Sequence, residues 1–288
     1  MHGIYPYLPT PITPHGEINV EALHELVQRL IDGGVHGLSP LGSTGEIMYL
    51  SPAQRETVVV ETVTAAAGRV PVVPGIAAFS TADAIAQARM VRDCGAQGVV
   101  VMQQLYNPLT ESEQESYFRG VVKSTDLPVV LYTNPKLGDV LSVDAIVRLA
   151  EEPTVQYLKD ATGRTGRIMS ITNRCDISVF AASAHIPATV FDLGGVGWMG
   201  GPCCIAPEAS VALWEARNDR ARLWEIQRAL WPLNELFTGH NMAAFIKAIL
   251  THQGIDMGAP LPPQRPVDPS VIAAYDDAIA TVGEVLTR

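Results

Sequence analysis

The feature that most narrows the possible folds is an alternation repeated eight times along the chain. Short stretches rich in Val, Ile and Leu fall at about 3 to 9, 37 to 42, 70 to 76, 98 to 103, 128 to 133, 155 to 160, 177 to 182 and 195 to 200, and each is followed by a stretch with helical periodicity. Apolar runs of this length suit strands buried on both faces, the condition of a parallel sheet covered by helices. Eight such units in series predict a closed (β/α)8 TIM barrel, an α/β fold of about 250 residues, and the chain has 288. Helix-start signals agree: Ser51-Pro52 before A-Q-R-E, Thr81 before A-D-A-I, Thr110 before E-S-E-Q and Ser142 before V-D-A-I. Each is a hydroxyl residue that can accept from an N–H of the first turn. Beyond about residue 205 the strand pattern stops, and helical periodicity covers roughly 207 to 217, 219 to 238, 240 to 253 and 269 to 286, broken by A-P-L-P-P-Q-R-P at 259 to 266. The expectation is a barrel over 1–218 with a C-terminal helical extension, 219–288, packed on it.

Composition excludes several function classes. Lys and Arg total 20 against 30 for Asp and Glu, giving a net charge of -10 with no basic run, which argues against nucleic acid or an anionic membrane as partner. A small anionic substrate stays compatible, because local dipoles can oppose net charge. No run of 18 apolar residues occurs, and the N-terminal M-H-G-I-Y-P-Y-L-P-T-P lacks a charged segment followed by an apolar one, so a soluble, cytoplasmic protein is expected. Cys94, Cys175, Cys203 and Cys204 form no C-x-x-C pair, and the seven histidines form no H-x-x-x-H or H-E-x-x-H pattern. Buried thiols are expected, and no metal site assembled from local sequence.

Chemistry concentrates at the predicted strand ends. In V-Q-Y-L-K-D-A-T-G, residues 155 to 163, Lys159 lies at the end of the sixth predicted strand, with Tyr157 on its face and Asp160 on the other. Taken alone, such a lysine more often snorkels to water beside its neighbouring carboxylate. The second strand ends in P-L-G-S-T-G-E, where two glycines enclosing Ser43 and Thr44 suit a backbone nest for a carboxylate or phosphate. No G-K-[ST] follows, so this is no nucleotide P-loop, and a plain tight turn is equally compatible. The fifth strand, P-V-V-L-Y-T-N-P, places Tyr132 at its end, and Q-Q-L-Y-N-P places Tyr106 in the loop after the fourth. Barrel topology opens all these strand ends on one face. A lysine, two tyrosines, a serine and an anion nest on one face suit Schiff-base chemistry on a 2-oxo acid. A free lysine, with a pKa near 10.4, is less than about one part in a thousand neutral at pH 7, so burial has to lower it.

With these residues together, the chain resembles the dihydrodipicolinate synthase and N-acetylneuraminate lyase family of class I pyruvate-dependent aldolases. The resemblance covers nearly the whole chain and rests on G-S-T-G-E with Glu56 ten residues beyond Glu46, and on Tyr132 with Pro135 followed by Lys159 in K-D-A-T-G. It implies a lyase in which Lys159 forms the Schiff base, Tyr132 relays protons through Ser43, and Ser43, Thr44 and Gly45 bind the carboxylate. It further implies that Tyr106 is lent by a neighbouring subunit, hence a homotetramer built as a dimer of dimers. Ser183 and Met199 complete the implied substrate-binding set, with His185 as a further polar contact. Small-molecule 2-oxo acid and aldehyde substrates are expected, without metal or organic cofactor.

Three departures bear on the second substrate. Synthases proper carry an arginine two residues after the proline, whereas Lys136, Leu137 and Gly138 follow Pro135 here. Lys136 supplies a charge without the bidentate fork. Tyr157 stands where relatives have a small residue, and F-A-A-S-A-H at 180 to 185 replaces a more polar stretch. True 4-hydroxy-tetrahydrodipicolinate synthase, a 2-keto-3-deoxy sugar acid dehydratase and a catalytically silent 2-oxo-acid-binding barrel remain as alternatives.

Overall fold

The computed structural model describes residues 1–135, 138 and 140–287. Seven parallel strands, β1 (Gly3–Pro6), β2 (Gly75–Ala78), β3 (Val99–Gln103), β4 (Val129–Thr133), β5 (Val155–Asp160), β6 (Ser178–Ala181) and β7 (Gly197–Gly200), pair in the order β1-β7-β6-β5-β4-β3-β2. The gap between β1 and β2 is filled by the second of the eight predicted strands. There Ser39 bridges Tyr7 and Leu38 bridges Val72, both in parallel. The Ser39 N–H donates to the Pro6 carbonyl at 3.0 Å and the Gly75 N–H to the Pro40 carbonyl at 2.8 Å. The sheet therefore closes as a (β/α)8 barrel with one irregular stave.

Proline explains the irregularity. Pro40 interrupts the second stave, and Pro71 and Pro74 take donors out of the third, so a stretch expected over 70 to 76 pairs regularly only from Gly75 onward. The other strand boundaries fall within a few residues of expectation. Ser51 and Thr110 each close a capping box, with Gln54 and Glu113, and Ser142 caps through the Ala145 N–H. The helix expected to be capped by Thr81 is capped one residue earlier, where Ser80 accepts from the Asp83 N–H. Beyond the barrel, Pro232 divides the helix expected over 219 to 238 into Arg220–Ala229 and Trp231–Gly239, because its ring cannot continue the preceding helix. Met242–His252 and Ser270–Leu286 follow, the former lying against the turn Gly201–Cys204 that leaves β7. No helix among the described residues is long and apolar enough to cross a membrane.

Strand register sets what fills the barrel. Tyr132 pairs with Lys159, Lys159 with Phe180, and Tyr5 with Met199, and residues in register on parallel neighbours share a face. The lower interior is an aromatic plug in which Tyr5 and Tyr157 pack on Phe180 with centroids 5.5 and 5.8 Å apart. Rings of this size fit because small residues oppose them: a Cβ on Gly37 would stand 2.0 Å from the Tyr5 ring, and one on Gly42 2.1 Å from the Tyr7 ring.

Candidate active site

β5 delivers Lys159 to the mouth above this plug. The side chain is 3 % exposed, and its Nζ lies 3.4 Å from the centroid of the Tyr7 ring and 4.0 Å from that of Tyr132. Asp160, the next residue, points the other way: it accepts from the Thr162 N–H at 2.8 Å and pairs with Arg167 at 2.9 Å. Alternation along one strand thus separates a lysine and an aspartate that sequence proximity would pair, and Lys159 is not a snorkelling surface residue. Burial holds its amine well below the ordinary lysine value, with Cys203 acting in the opposite direction. The Cys203 thiol is itself pushed up to about 12 by burial, so it is no anion at neutral pH.

β4 positions Tyr132, whose hydroxyl accepts from Asn134 Nδ2 at 2.8 Å. Burial raises the phenol to about 12, moderated by hydrogen bonds with Asn134 and Ser43. The hydroxyl therefore keeps its proton at neutral pH, with a second hydroxyl, Ser43, to pass it to or take it from.

The loop carrying Ser43 and Thr44 departs from the expectation in one respect. Its left-handed backbone positions are Leu41, at φ 61°, and Glu46, at φ 56°, and neither is a glycine. Gly42 and Gly45 supply room instead, the former for the Tyr7 ring and the latter because a Cβ would lie 2.8 Å from the Leu8 carbonyl oxygen. Among the described residues no protein acceptor meets the N–H groups of Ser43 and Thr44. The strained loop is pinned from outside the barrel. The buried Glu46 carboxylate lies 2.5 Å from Lys247 Nζ and accepts from the Leu261 N–H at 2.6 Å and from Gln264 Nε2 at 2.8 Å.

The remaining predicted residues are distributed unevenly. Ser183, half-buried after β6, donates to the Ala161 carbonyl at 3.4 Å, and Met199 is fully buried on β7 in register with Tyr5. His185 is exposed beside Gly163. Tyr157 does not reach the mouth: its hydroxyl accepts from the Met1 ammonium at the N-terminal end of the barrel, so it fills the floor below the amine. Tyr106 is 89 % exposed and is not brought to Tyr132 within its own chain. Lys136 and Leu137, where the arginine question arises, lie outside the described residues. All four cysteines are free, with Cys203 and Cys204 buried. Among the described residues no three His, Cys, Asp or Glu side chains stand where they could hold a metal ion.

Sequence reasoning missed two contributors. Tyr7 touches the amine, and the signal was present in G-I-Y-P-Y-L, whose alternation puts Tyr5 and Tyr7 on one face of the first strand. Lys247 pins the loop from 201 residues beyond Glu46, and no local pattern connects the two.

Comparison with known proteins bears on the whole chain. The model of the Dihydrodipicolinate synthetase family matches residues 1–281. A DapA-like lyase of Halobacterium salinarum, described as uncharacterized, is 30% identical over 287 residues, covering 98% of this chain and 94% of that protein. The 4-hydroxy-tetrahydrodipicolinate synthase of Cereibacter sphaeroides is 34% identical over 241 residues, 82% of either chain. Among solved structures, the E. coli K12 prophage protein YagE, of the dihydrodipicolinic acid synthase family and in complex with pyruvate, superposes with a TM-score of 0.92 at 25% identity, covering 98% of this chain and 99% of its own.

Proposed function

The chain belongs to the dihydrodipicolinate synthetase family, and from that premise we propose that it is a lyase working through a Schiff base between Lys159 and pyruvate or another 2-oxo acid. The observation that carries this reading is a buried amine, depressed by desolvation, that is faced by aromatic rings rather than by a carboxylate. A structural lysine so deep would be expected to have a charged partner, as Lys247 does in Glu46. A neutral amine is a nucleophile.

In the proposed cycle the amine attacks the ketone carbon and a carbinolamine forms. Its hydroxyl leaves as water on taking a proton relayed by Tyr132 through Ser43, and the nitrogen is left as an iminium. Loss of a proton from the adjacent carbon gives an enamine that adds to an aldehyde, and the reverse sequence cleaves the same bond. The free N–H groups of Ser43 and Thr44 hold the carboxylate, with Gly45 keeping the loop close to Leu8. Ser183 and Met199 border the second substrate, and Tyr106 enters the relay from a neighbouring subunit of a homotetramer. The pyruvate held by YagE supports the choice of 2-oxo acid. Synthases among the relatives support aspartate semialdehyde as one candidate partner, against which stands the absence of arginine at position 137.

Borohydride reduction in the presence of pyruvate, followed by peptide mass mapping, tests the mechanism: the adduct is expected on Lys159, and its absence under conditions that trap a known class I aldolase sinks the reading. A panel of aldehydes and keto-deoxy acids, with aspartate semialdehyde included, then identifies the second half-reaction.

A further inference from the structure

We propose that Tyr7 is a further catalytic residue, whose ring face stabilises the positive charge that develops on the Lys159 nitrogen as the iminium forms. The proposal rests on the Schiff-base reading above. At 3.4 Å from the ring centroid, Nζ is in contact with the π face of Tyr7, and at 4.0 Å it nearly touches that of Tyr132. A cation within about 6 Å of such a face is attracted by the ring quadrupole, most strongly where water is excluded, and Lys159 is 3 % exposed.

The timing of the charge makes this contact catalytic. Before dehydration the nitrogen of the carbinolamine is neutral. As the C–O bond breaks and the hydroxyl departs with a relayed proton as water, the nitrogen lone pair forms the C=N bond and positive charge appears where the Tyr7 face already stands. Stabilisation that grows along this step accelerates it. The face would also favour the ammonium form of the free amine, which burial opposes.

The contribution comes from the face rather than the hydroxyl. The Tyr7 hydroxyl is buried beside that of Ser39, which gives its own proton to the Val73 carbonyl at 2.8 Å. The hydroxyl of Tyr132 is engaged with Asn134 at 2.8 Å. The Tyr7 ring is also fixed in place. Its backbone N–H donates to the Gly200 carbonyl at 3.1 Å, its carbonyl accepts from Cys204 Sγ at 3.3 Å, and the ring sits over Gly42, where a Cβ would come within 2.1 Å. A face held this way needs no reorganisation as the charge appears.

The test follows the rate at which a pyruvate adduct, quenched by borohydride, accumulates in the wild type, Tyr7→Phe and Tyr7→Leu, and in proteins carrying mono-, di- and trifluorinated phenylalanine at position 7. Tyr7→Leu is expected to fall at least tenfold below Tyr7→Phe, and the rate to drop stepwise with fluorination, which weakens the face with little change of shape. The fluorinated series decides the matter where leucine compromises folding. Equal rates for leucine and phenylalanine in folded proteins, or a flat response to fluorine, overturn the role of Tyr7 while leaving the Schiff base standing. Failure of the wild type to trap pyruvate overturns the Schiff-base reading and this proposal with it.

Discussion

The cost of keeping an amine neutral inside a barrel falls on Lys159, and it sets two expectations at the level of single residues. The unfolded chain holds a proton on this amine up to about pH 10.4, whereas burial lowers the folded value well below that. Between the two values the unfolded state binds more protons, so this residue makes the protein more stable as pH rises, by about 1.4 kcal/mol per pH unit, and its penalty is largest below the folded pKa. Lys159→Met should abolish adduct formation and yet raise stability, with the gain over wild type shrinking from pH 7.5 to 9.5 in urea melts; a constant gain would show that the amine is not depressed. Tyr132→Phe separates the relay from the nucleophile. It should still bind the 2-oxo acid, while kcat falls roughly a hundredfold or more, the usual worth of positioned proton transfer, with KM changed little. Lys159 itself was legible because its strand and turn are local. Its contact with Tyr7 was not, since it exists only once the first and sixth staves share an interior.

At the scale of elements, the loop carrying Ser43 and Thr44 is the part whose geometry the chain has to enforce. Left-handed backbone at Leu41 and Glu46 is strain of a kind that persists where its surroundings over-determine it. Here the enforcing group is the Glu46–Lys247 pair, in which both side chains are almost fully buried. Removing one partner strands a charge in the interior. Lys247→Met should therefore destabilise by about 3 kcal/mol or more, and Glu46→Gln combined with Lys247→Met should recover part of that, because no bare charge remains. If the pair also aims the N–H groups of Ser43 and Thr44, KM for the 2-oxo acid rises in both the single and the double variant while kcat changes less. Urea melts and steady-state kinetics with pyruvate separate the two effects. The elements themselves were readable to the extent that periodicity outweighed proline. Apolar runs located every stave, but Pro40, Pro71 and Pro74 removed donors from two of them, and Pro232 split one helix in two. The reason for the loop's two glycines was not legible in G-S-T-G itself, because the crowding by Tyr7 and Leu8 that demands them is tertiary.

On the scale of the whole molecule, the relay as proposed is incomplete within one chain. Tyr106 is 89 % exposed, as are other large side chains in part, Phe79 at 57 % and Tyr49 at 48 %. An exposed tyrosine contributes to a buried proton path only if a second copy brings it there, and a closed, symmetric association places it reciprocally in both sites. This is testable by mixing two defective proteins. Lys159→Met lacks the nucleophile but retains Tyr106, and Tyr106→Phe retains the nucleophile but lacks the lent hydroxyl. Co-folded at equal amounts, half of the pairs are mixed and each mixed pair rebuilds one intact site of two, so roughly a quarter of wild-type activity should return. Activity that stays at the mean of the two parents would mean that Tyr106 serves its own chain or none, and the relay would then have to run from Tyr132 and Ser43 to water.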